Sequence, residues 1–96
     1  MPRERTIQKR ILDHLNAIPE CYAINVHGSV YQRSQPDILG TIRGQTIALE
    51  VKQPGRKATK AQAAILRKWE QSGAITGVVT SVDDAAELLI GEGSDD

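Results

Sequence analysis

This chain of 96 residues has no Phe, one Trp, two Tyr and a single Cys. One Cys excludes an intramolecular disulfide and a Cys-based zinc cluster, and it suits a reducing compartment. With so few aromatics the core has to be built from Ile, Leu, Val and Ala. The length is near the lower end of what buries a self-sufficient core, so one small domain is expected over residues 1–90, and dimerisation is a reasonable expectation. No run approaches the ~20 apolar residues of a membrane span, and the N-terminus is charged rather than signal-like. The reading is a soluble, cytoplasmic chain. A phosphate-cradling Gly-rich loop and a nucleophile elbow are also missing. His27 has no second His at ligand spacing, since His14 falls outside the apolar stripe of its helix.

What is present is charge, unevenly spread. The net charge is zero, yet residues 51–68 hold Lys52, Arg56, Lys57, Lys60, Arg67 and Lys68 without one acid. Arg3, Arg5, Lys9 and Arg10 add basic residues near the N-terminus. The last stretch reverses the sign, with Asp83, Asp84, Glu87, Glu92, Asp95 and Asp96 and no base. The basic belt suits a phosphate footprint, although a solvated helix face has the same composition.

Periodicity divides the chain into seven elements. Ile7, Ile11, Leu12, Leu15 and Ile18 recur at helical spacing and predict a helix from about Glu4 to Ala17, ended by Pro19. Residues 21–26 are β-prone, and 27–36 read as a polar loop. Asp37–Ile42 and Ile47–Lys52 predict a hairpin joined by Arg43-Gly44-Gln45. Thr59 opens a helix to about Gln71, Ile75–Thr80 reads as a buried strand, and Ser81 caps a last helix to Leu89 or Ile90. Residues 91–96 read as a disordered acidic tail. The order α-β-β-β-α-β-α predicts an α/β or α+β domain, a mixed central sheet flanked by helices.

The hairpin carries the chemistry. Glu50 follows Asp37 by thirteen positions. Strand alternation sets Glu50 and Lys52 on one face, about 6.6 Å apart, with Ile47, Leu49 and Val51 on the other. Folding the hairpin brings Asp37 beside them. Two carboxylates converging next to an ammonium suit a divalent cation and an activated water.

Two further polar residues fall on faces meant for the core. Glu4 lies within roughly 60° of Ile7, Ile11 and Leu15 on the helical wheel. Such a carboxylate needs a nearby cation or a metal-bound water, unless it simply complements the dipole of a fraying first turn. Gln62 precedes Ile65, Leu66 and Trp69 on an inward face. It also completes the capping box Thr59-Lys60-Ala61-Gln62, so an active-site role and a capping role both stand. Lys60 points outward, toward a phosphate rather than the chemistry. In the loop, His27 and Ser29 could touch a phosphate or a water, and Tyr31, Gln32 and Arg33 could contact nucleic acid, the ring by stacking.

Pro36-Asp37, then Glu50-Val51-Lys52, resemble the PD-(D/E)xK motif of restriction-endonuclease-like enzymes. The wider context, Pro36-Asp37-Ile38-Leu39-Gly40, Ala48-Leu49-Glu50-Val51-Lys52, Gly55 and Thr59-Lys60-Ala61-Gln62, resembles the virus-type replication-repair nuclease (VRR-NUC) domain. The likeness runs from the first helix to Val78-Val79. It implies a restriction-endonuclease-like core and a Mg2+- or Mn2+-dependent phosphodiesterase. By that resemblance Asp37, Glu50 and the Val51 carbonyl would be metal ligands, and Lys52 would orient or help deprotonate the attacking water. Glu4 would match a helix-borne acid near the metal, and Gln62 the polar residue after the motif. Gln35 departs from the pattern, standing where relatives often have Gly. Small stand-alone members work as dimers similar to Holliday-junction resolvases, which implies a homodimeric, structure-selective DNA endonuclease. Nucleic-acid contacts are expected from Ser29, Tyr31, Arg33, Arg56, Lys57 and Lys60. The rival expectation is a non-catalytic nucleic-acid-binding module on the same fold.

Overall fold

The computed structural model describes residues 2–26 and 34–93. The chain forms α1 (Glu4–Asn16), β1 (Cys21–Asn25), β2 (Ile38–Ile42), β3 (Gln45–Val51), α2 (Lys60–Gln71), β4 (Ile75–Val79) and α3 (Val82–Gly93). This is the expected order. The four strands make one mixed sheet in the order β1-β2-β3-β4. The first two pairings are antiparallel and β3–β4 is parallel.

Local chemistry explains the hairpin. Ile42 pairs with Gln45, leaving Arg43 and Gly44 as a two-residue turn with φ of 50° and 81°. Positive φ at both positions gives a primed turn, whose twist matches that of the strands it joins. Gly40 is required for a different reason: a Cβ there would strike the Tyr22 carbonyl and the Ala23 backbone on the neighbouring strand.

One face of the sheet supplies the core. Ala23, Ile38, Ile42, Ile47, Leu49, Val51 and Val79 cluster with Ile7, Ile11 and Leu15 of α1 and Ala85 and Leu89 of α3. These are the aliphatics expected, and burying an Ile, Leu or Val side chain contributes about 1.5–3 kcal/mol. α2 packs against β3 and β4, on the other face. That leaves the β1 half of the second face bare, with Tyr22 70% and Ile24 48% exposed.

Two amides orient α1. The Asn16 side chain donates to the Ala23 carbonyl at 3.0 Å and accepts from its N–H at 2.8 Å. Asn25 donates to Gln8 at 2.6 Å. Gln8 lies about two turns N-terminal of Asn16, and its partner lies further along β1 than Ala23. The helix N-terminus therefore points to the end of the sheet where β3 finishes. Gln53, just past β3, secures it by donating to the Pro2 carbonyl at 3.0 Å.

Two helix boundaries differ from expectation. α2 starts at Lys60 with Thr59 as its N-cap. α3 runs to Gly93, past the end at Ile90 read from the sequence. Each added helical residue gains a hydrogen bond once the helix is nucleated, and no Pro stops it. Of the proposed tail only 94–96 lie outside the described residues.

Candidate active site

The site forms where β2 begins and β3 ends. Ile38 pairs with Leu49, so one step further along the same register Asp37 stands across from Glu50. Directly opposed strand residues hold their Cβ atoms about 4.5–5.5 Å apart. The hairpin therefore does bring Asp37 to Glu50. The Asp37 carboxylate is held in turn, with Oδ2 accepting the Val51 N–H at 2.8 Å. Asp37 also gives its backbone carbonyl to Val26 N–H at 2.8 Å.

The strand pairing stops at Ile38 and Leu49, and Pro36 has no N–H with which to extend it. Val51, whose N–H holds the Asp37 carboxylate, also brings its carbonyl, a further hard oxygen, to this end of the strand. Pro36 itself is fully buried.

Glu50 is the anomaly of the structure. It is the one buried charged residue among the described residues, only 2% exposed. Its Oε2 lies 3.7 Å from Lys52 Nζ, while its Oε1 is buried without a hydrogen-bond partner. Burial first, then the adjacent Asp37 carboxylate and, last, Glu4 push the Glu50 carboxyl up to about 8, against the opposing pull of Lys52. An unpartnered buried carboxylate oxygen is costly. A cation beside Oε1 would remove that cost, and the residues present fit one: Asp37, Glu50 and the Val51 carbonyl are all oxygen donors of the kind Mg2+ and Mn2+ prefer.

Glu4, half-buried at the start of α1, is close enough for its charge to act on Glu50. Among the described residues no three His, Cys, Asp or Glu side chains are placed to hold an ion together. Gln62 forms the capping box: its Oε1 accepts the Thr59 N–H at 2.9 Å, and its own N–H reaches Thr59 Oγ1 at 3.1 Å. The capping role is thus filled, and only the side-chain NH2 is left for anything else. Arg56, Lys57 and Lys60 are exposed on the segment leading from Lys52 into α2. His27, Ser29, Tyr31, Gln32 and Arg33 lie outside the described residues.

Gln35 was visible in the sequence only as a departure from a pattern. In the structure its Oε1 accepts the Trp69 Nε1–H at 3.1 Å, across 34 residues. No local spacing signals a partner so distant.

No protein-family model matches the sequence, and no curated protein matches it. Solved structures do. One described as a VRR_NUC domain superposes over 98% of this chain and 100% of its own, with a TM-score of 0.75 and 24% identity. The chain has the VRR-NUC fold. A second structure, described as a VRR_NUC domain protein, covers 92% of this chain and 85% of its own at a TM-score of 0.70 and 15% identity. At such identities the likeness concerns the VRR-NUC backbone, and the chemistry has to be argued from the side chains at its corner.

Proposed function

We propose that this chain is a divalent-metal-dependent nuclease that hydrolyses DNA phosphodiester bonds, prefers branched DNA such as a four-way junction, and acts as a homodimer. The observation that carries the reading is the buried, unpartnered Oε1 of Glu50 beside Asp37 and Lys52. A protein gains nothing in stability from that arrangement. A site that takes up a cation explains it.

Asp37, Glu50 and the Val51 carbonyl would hold Mg2+ or Mn2+, which when bound acidifies a water and neutralises charge on the phosphate. The remaining steps belong to the chain. Lys52, only 13% exposed at its side chain, orients the attacking water or helps take its proton. Its charge also stabilises the negative charge that develops on the phosphorus oxygens. Glu4 is suited to anchor a water at the rim, and the Gln62 NH2 to donate to a phosphate or a water. Arg56, Lys57 and Lys60 would grip the DNA backbone, and phosphate contacts position without reading bases. That favours selection by shape. Cutting two strands symmetrically takes two sites, and the bare apolar pair Tyr22 and Ile24 is suited to meet a second copy.

Purified protein with Mg2+ or Mn2+ should nick four-way junctions or flaps, and Glu50→Ala or Lys52→Ala should abolish the cleavage. If the wild type cuts no branched, flapped or linear DNA with either metal, the reading fails. Sedimentation at twice the chain mass, reduced to one by Tyr22→Lys, is the expected result for the dimer.

A further inference from the structure

The carboxylate of Asp37 can serve a metal site only if the strand start that bears it is held still. Its own backbone supplies part of the restraint, through Val26 N–H and the buried Pro36 ring. The segment immediately before it is different. Ser34 has a φ of 68°, a left-handed conformation that costs a non-Gly residue free energy unless surrounding contacts enforce it. Among the described residues, a contact that holds this segment is the half-buried bond from Trp69 Nε1–H to Gln35 Oε1 at 3.1 Å. Trp69 lies on the last turns of α2, a helix packed on β3 and β4. Thus the residue two before Asp37 is tied to the element that covers the strand bearing Glu50.

We propose that Gln35 and Trp69 are a positioning pair, which fixes the Asp37 carboxylate opposite Glu50 by anchoring the start of β2 to α2. This deepens the metal-site reading and rests on Asp37 being a site residue. Neither residue touches the reacting atoms. The bond is also one that a Gly at position 35 could not make, so it is a property of this chain rather than of the motif.

The structure contains a reporter for the proposal that needs no metal. Val51 N–H donates to Asp37 Oδ2, whereas the next amide, Lys52 N–H, donates to the Val79 carbonyl at 3.0 Å. Loosening Asp37 releases the first and spares the second. Amide hydrogen exchange in the metal-free protein should therefore quicken at Val51 relative to Lys52 by about three- to tenfold in Gln35→Ala and in Trp69→Phe, the range expected for removing one hydrogen bond. Gln35→Glu keeps an acceptor oxygen and should retain the wild-type ratio. An unchanged Val51-to-Lys52 ratio in Gln35→Ala and Trp69→Phe overturns the proposal, as does equal acceleration of both amides, which would report global destabilisation. Gln35→Ala should also raise the Mn2+ concentration that half-stabilises the fold against heat by a similar factor. If the wild type gains no thermal stability from Mn2+, the metal reading fails while the exchange ratio still decides the positioning pair.

Discussion

Glu50 is under two opposed demands: the fold buries it, and its charge resists burial. Its carboxyl is raised from 4.5 to about 8, so between those values the folded chain keeps a proton that the unfolded chain has lost. The native state then binds more protons, and stability falls as pH rises through that window. In the metal-free protein, melting temperature should decline from pH 5 to pH 8. Glu50→Gln should flatten the decline and melt higher at pH 8, by about 4–8 °C for each kcal/mol recovered in a domain of this size. Added Mn2+ competes with the proton, so it should stabilise the wild type more at pH 8 than at pH 5.5, and Glu50→Gln not at all. Scanning calorimetry across pH with and without the metal checks all three. The positions of Asp37, Glu50 and Lys52 were legible because strand alternation and a short turn are local. The depth of Glu50 was not, since it depends on Asp37, β4 and α2 closing around it. Gln62 shows a local reading that stayed double: the capping box is present, and a contact with substrate is left to the remaining NH2.

At the scale of elements, the sheet ends on β1, an edge strand that could recruit other chains. Asn16 blunts it by occupying both backbone groups of Ala23, much as a neighbouring strand would. Asn16→Ala should cost about 1–3 kcal/mol for the two bonds, read as a lower urea midpoint, and should increase aggregation at high protein concentration. The same bond orients α1 and so carries Glu4 toward the site. Apart from the end of α3, helices and strands appeared in the sequence within a residue or two, because apolar periodicity, Thr59 and Gly44 act on their own neighbours. The Asn16–Ala23 and Gln35–Trp69 bonds did not appear. They join side chains to partners whose distance is set only when elements pack.

For the whole molecule, zero net charge hides an electrostatic gradient between the belt at 51–68 and the acids after residue 83. Asp84 belongs to the second group but is engaged in the fold, accepting from Thr80 N–H and Oγ1 at 2.8 and 2.6 Å, which hold its carboxyl below the usual range. Replacing Arg56, Lys57 and Lys60 with Ala should weaken DNA binding alike for all sequences. The salt dependence, log K against log salt, should become shallower by about 0.9 for each phosphate that is no longer neutralised; fluorescence anisotropy over a salt series measures it. Sequence alone determined the element order, the aliphatic core face and the three residues Asp37, Glu50 and Lys52, because each rests on periodicity or spacing along one stretch of chain. Tertiary structure decided that Glu50 is buried with an oxygen unpartnered, that Glu4 reaches it from another element, and that Gln35 is tied to Trp69. Desolvation and long-range hydrogen bonds exist only once separate segments exclude water together.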